Sequence, residues 1–161
     1  MKATLTSVLA IIAISLFSCK QATEKSYNDT VVNMYGNYVN TLSSKMDKIS
    51  DEKIDKAAAA VAVKEITQTT DSCITEMNKL KPSEDAKDFH NKVVAVFQLI
   101  KSDIVPVANK MNDLKGSEDI NSYNKLIEEY NAAQSKLDAA ETAAQTAQQA
   151  YAAKLGTHIE N

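Results

Sequence analysis

Few side chains in this 161-residue chain are of a type that could do chemistry, and their spacing limits what that chemistry could be. They are two cysteines, Cys19 and Cys73, two histidines, His90 and His158, and six tyrosines, Tyr27, Tyr35, Tyr38, Tyr123, Tyr130 and Tyr151. A carboxylate-bridged di-iron centre in a helical protein needs Glu-x-x-His on two helices, and neither histidine has a glutamate three residues ahead of it. Covalent haem needs Cys-x-x-Cys-His, whereas Cys73 stands alone and no histidine follows it. A non-covalent haem between His90 and Met34, Met46 or Met77 is the cofactor arrangement left open. His90 adjoins apolar Phe89 but falls on the polar side of the pattern, so it reads as a solvated histidine. A nucleophilic cysteine needs a base oriented by a third group. Cys73, in an apolar helical seam, has no such partner in the sequence and reads as a small core residue. The expectation is therefore no catalytic residues, no metal site, no cofactor and no enzyme.

Cys19 differs because of what precedes it. Met1 and Lys2 make a positive start, residues 3–17 are uncharged and mainly apolar, and the run closes on Leu16-Phe17-Ser18-Cys19, the organisation of an export signal. Leu at minus three and Ser at minus one before a cysteine resemble a bacterial lipobox. That resemblance implies removal of residues 1–18, lipidation of Cys19 and a chain held to a membrane by its first mature residue. Residues 19–25 then read as the lipidated cysteine and a polar tether, spanning about 20 Å at roughly 3.4 Å per residue. Lys20-Gln21-Ala22-Thr23-Glu24 is similar in part to the surface-display signal of Bacteroidota lipoproteins. Asp29-Thr30-Val31 is similar to the O-glycosylation pattern of exported proteins of the same phylum, though Thr30 reads equally as an exposed helical residue.

The elements that must position these residues are helices. With Gly 3 and Pro 2 in the whole chain, a barrel or sandwich of many short strands lacks its turns. Apolar residues recur at threes and fours from Tyr27 to Ile49, predicting a first helix from Ser26. Ser50-Asp51-Glu52 reads as the start of a second helix, whose later half runs Val63, Ile66, Thr70, Cys73, Met77 and Leu80 as one seam and stops before Pro82. Ser83-Glu84-Asp85 and Ser117-Glu118-Asp119 repeat the start signal for a third and a fourth helix. Pro106 interrupts a third helix whose apolar period continues on both sides, predicting a kink, and Lys115-Gly116 ends it. The fourth helix runs into a tract of Ala, Gln and Thr at residues 139–153, broken only by Glu141 and Tyr151, and ends at Gly156, leaving 156–161 as a frayed tail.

Short connections make consecutive helices antiparallel. The fold expected is all-α: one domain over residues 26–155, an up-down-up-down four-helix bundle with a long alanine-rich fourth helix. In that arrangement Tyr27, Tyr35 and Tyr38 face the alanine tract, and alanines 57–62 face Tyr123, Ile127 and Tyr130. The fourth helix, longer than the first, overhangs toward the membrane or packs on the tether. The tyrosine rings are expected to pack while their hydroxyls reach the rim.

Composition narrows the partners. All 18 basic residues are lysine, which removes bidentate guanidinium recognition of phosphate or carboxylate. Without residues 1–18 the chain keeps 17 lysines against 21 acids, mildly acidic and without the basic stripe of a nucleic-acid binder. The chain thus resembles the small helical-bundle lipoproteins of the Bacteroidota. That implies a cell-envelope protein, on the outer membrane facing the periplasm or the cell surface, bound to the membrane through Cys19, with an envelope protein as partner and an interaction or structural role. The alternative is a carrier of a small apolar ligand or non-covalent haem, with a pocket beside Tyr27, Tyr35 and Tyr151.

Overall fold

The computed structural model describes residues 19–117 and 119–156, with side chains from Thr23 onward. The signal peptide assigned to residues 1–18, the Cys19 side chain, Glu118 and His158 lie outside the described residues. Within them the chain is helical and has no strand: α1 (Cys19–Ser50), α2 (Lys56–Lys79), α3 (Lys87–Leu99), a π-helical turn (Ile100–Ile104), α4 (Val105–Asp113) and α5 (Ile120–Lys154).

The apolar period of the sequence becomes the buried face. Val31, Tyr35, Tyr38, Leu42, Met46 and Ile49 of α1 pack into one core with Val63, Ile66, Cys73 and Met77 of α2 and Phe89, Val93, Val96 and Phe97 of α3. The third run is a single helical stretch loosened in the middle. Pro106 has no N–H to offer the carbonyl four residues earlier. Just ahead of it the backbone widens to the π register, Val105 N–H reaching Ile100 O, while Ile100, Ile104, Val105 and Val107 stay on the buried face.

The helix boundaries correct three expectations. α1 is already helical at Cys19, the first described residue, so the helix expected from Ser26 includes residues 19–25. α1 also runs through Ser50, whose hydroxyl turns back to Asp47 O at 3.0 Å. The cap of α2 is Asp55, extended at φ −72° and ψ 164°, accepting from Ala58 N–H at 2.7 Å. At α5, Ser117 accepts from Asp119 N–H at 3.1 Å, and Asp119 itself caps the helix by accepting from Ser122 N–H at 3.1 Å. In both places the cap is an aspartate nearer the helix than the serine. Gly116, at φ 79°, takes the left-handed conformation that closes the preceding turn, a geometry that costs other residues about 1 kcal/mol or more.

Lysines finish the helices as well as solvating them. Lys115 Nζ donates to Ile49 O at 2.9 Å and Asp51 O at 2.8 Å, and Lys56 Nζ to Asp113 O at 3.1 Å. Ile49 O and Asp113 O belong to last turns, whose carbonyls lack intrahelical partners, while Asp51 O also accepts from Ile54 N–H at 3.1 Å.

Between helices, residue numbers rise on one partner as they fall on the other. Tyr38 bonds Thr70 and Lys45 pairs with Glu65 across α1 and α2. Lys110 pairs with Glu129, and Lys136 with Asp103, across the third run and α5. Glu24, Asn28 and Tyr35 meet Tyr151, Gln148 and Glu141 across α1 and α5. The closest backbone approaches are α1 to α2 and α3 to α5, whereas α1 and α5 are joined by the reach of their side chains.

That layout overturns one expected pairing. α2 has no close backbone pairing with α5. The alanines of α2 therefore do not cover Tyr123 and Ile127, and Tyr123 is 56% and Ile120 73% exposed. Tyr38 likewise turns from the alanine tract toward α2 and α3, edge-on to Phe97 at 5.1 Å. Of the two fates expected for the end of α5, packing on residues 19–25 is the one observed, through Tyr151 and Glu24.

Candidate functional site

Where α1, α3 and α5 converge near the start of α1, polar side chains collect inside the bundle. Each is placed by a helical repeat. Glu24, Asn28 and Tyr35 lie along one side of α1, and Glu141, Gln148 and Tyr151 along the facing side of α5, at the separations of three, four and seven that stack residues on a helix. Ser83, just after Pro82, and His90, in the first turn of α3, complete the group.

The geometry is a ladder. Nearest the chain start, Glu24 Oε2 accepts from Tyr151 OH at 2.5 Å and from Ser83 Oγ at 2.9 Å, while Tyr151 OH also lies 3.0 Å from Glu24 O. Next, Tyr27 OH and His90 Nδ1 share a hydrogen bond of 2.7 Å, and Gln148 Nε2 donates to Asn28 Oδ1 at 3.1 Å. Deepest, Tyr35 OH donates to Glu141. Tyr27 stands edge-on to Tyr151 at 6.4 Å, and Phe89 stacks on Tyr151 at 6.1 Å. A void of about 10 Å³ adjoins Tyr35, Glu141 and Ala144, room for about one water molecule.

His90 corrects its sequence reading: it is 9% exposed and bonded to Tyr27, not solvated. Four residues after buried Ala86, three before Val93 and seven before Phe97, His90 falls on the buried face beside Phe89. Cys73 is a buried free thiol, as expected. Met77 and Met46 lie in the apolar core and Met34 packs against it. Asn28, Glu141 and Gln148 were not singled out by sequence reasoning. Glu141 did carry a signal, as the only charge within an alanine tract.

Burial pushes the tyrosines and the histidine of this group toward their neutral forms. Burial, then the Glu24 charge, raises the Tyr27 hydroxyl to about 12. Burial raises Tyr35 and Tyr151 well above the phenol range, reinforced by Glu141 and Glu24 respectively. Burial lowers His90, and burial followed by Glu76 raises Cys73. Nucleophilic and acid–base catalysis ask for the reverse, a thiolate or a base poised near neutrality. Chemically the ladder is suited to joining α1 to α3 and α5. Among the described residues no group of three or more His, Cys, Asp or Glu could hold a metal ion.

The chain matches no family model, no curated protein and no solved structure.

Proposed function

We propose that this chain is a lipid-anchored protein of a bacterial cell envelope, tethered through Cys19, and that it acts by presenting a helical surface to another envelope component without catalysing a reaction. The carrying observation is the run Leu16-Phe17-Ser18-Cys19 at the end of an apolar leader. Its architecture on this reading is an up-down-up-down four-helix bundle, bent at the π turn ahead of Pro106, on the outer membrane with the periplasmic or cell-surface side as its address. The antiparallel order of the interhelical pairs supports that topology. No helix among the described residues is long and apolar enough to cross a membrane. A binding role is supported by a polar seam filled by its own side chains, whose tyrosines and histidine burial holds neutral.

Metabolic labelling with a palmitate analogue tests the anchor. Expected are label on the protein in the membrane fraction, a mass consistent with loss of residues 1–18, and loss of both label and membrane association in Cys19→Ala. An unlabelled chain retaining residues 1–18 sinks the reading. Crosslinking in intact cells, followed by mass spectrometry, then identifies the component that the helical surface meets.

A further inference from the structure

The first turns of α1 are attached differently from the rest of the helix. The fully buried apolar residues of α1 begin at Val31. Ahead of it, Glu24 bonds Ser83 and Tyr151, Tyr27 bonds His90 and packs against the core, and Asn28 bonds Gln148. A segment held mainly through polar side chains opens at lower free energy than one anchored by fully buried apolar residues. Of the groups in those bonds, histidine is the one whose ordinary pKa lies between pH 5 and 8.

We infer that His90 is an acid-sensitive latch: its neutral imidazole, buried in α3 and bonded to Tyr27, docks the first turns of α1, and its protonation releases residues 19–28 while the rest of the bundle stays folded. A buried imidazolium is costly unless an anion compensates it. The ionisable groups gathered at this end are Glu24 and Tyr27 from α1, Tyr151 and Lys154 from α5, and Asp85 ahead of α3. Glu24 is engaged by Ser83 and Tyr151, and Asp85 by Lys154 at 3.2 Å. Burial is accordingly what moves His90, and it moves it down. The sign follows: a group harder to protonate when docked than when released weakens docking as pH falls through the ordinary imidazole value of about 6.5.

On the lipid-anchor reading, release also lengthens the attachment. Residues 20–28 span about 14 Å as helix and up to about 31 Å extended. This consequence rests on that reading and the latch does not.

Hydrogen exchange of the full chain, read by mass spectrometry from about pH 8 to about pH 5 and corrected for intrinsic exchange, tests the latch. Protection of residues 19–30 should fall about twofold or more, while residues 62–77 of α2 keep theirs. His90→Gln, neutral throughout, should abolish the fall, and Glu24→Gln should retain it. A flat wild-type profile overturns the latch, as does an unchanged response in His90→Gln or its loss in Glu24→Gln. The mass of Cys19 in the same samples reports the anchor separately, so failure of one leaves the other readable.

Discussion

Glu141 is 8% exposed and accepts from Tyr35 OH between α1 and α5. A carboxylate taken from water must be compensated by hydrogen bonds, and a buried partner left alone costs more than the pair contributes. Glu141→Leu should therefore cost about 1–3 kcal/mol, because the Tyr35 hydroxyl loses its acceptor. Tyr35→Phe should cost a comparable amount. The double variant should be less destabilised than the two single costs added together, with a coupling of about 1–2 kcal/mol in urea unfolding. Strict additivity would show that the two groups do not support one another. The sequence made Glu141 visible as a lone charge among alanines, yet not its partner, because helical spacing tells which residues share a face and not which face of another helix they meet. Tyr35 and Glu141 are 106 positions apart.

Among the helices, those with regular apolar spacing were legible from the sequence, and their ends were not. Val31 through Ile49 and Val63 through Met77 are buried at the positions their period predicts. Ser50, by contrast, looks like a cap, but a cap requires an extended backbone, and that conformation occurs at Asp55. Asp55→Ala should cost about 1 kcal/mol, whereas Ser50→Ala should stay within about 0.5 kcal/mol, both by thermal or urea unfolding. Equal costs would return the cap to Ser50. His90 was misplaced for a different reason: its spacing of four from Ala86 and three from Val93 puts it on the buried face, and only its polarity had assigned it to solvent. The interruption near Pro106 was legible because proline removes a specific donor. Its form, a π turn lying ahead of the proline, depends on keeping Ile100, Ile104 and Val107 buried together.

For the molecule as a whole, buried hydroxyls at the junction of α1 with α3 and α5 tie stability to alkaline pH. Tyr27 is held at about 12 by burial and then Glu24, while a tyrosine in an unfolded chain ionises near 10. The unfolded state gives up its phenolic protons first, so this contribution is complete below about pH 10 and is lost as pH rises toward about 12. Tyr35, Tyr38 and Tyr151 are shifted in the same direction by burial. Phenolate absorbance from these residues should appear together with loss of helical circular dichroism, and Tyr27→Phe should flatten the decline between pH 10 and 12. Ionisation that precedes loss of helix would contradict this account. The helical form of residues 19–25 has another consequence, one of timing. If the chain is cut before Cys19, as proposed above, these turns must be unwound while a peptidase holds that bond in extended form, and the last turns to join the bundle are then the first ones in the cut chain.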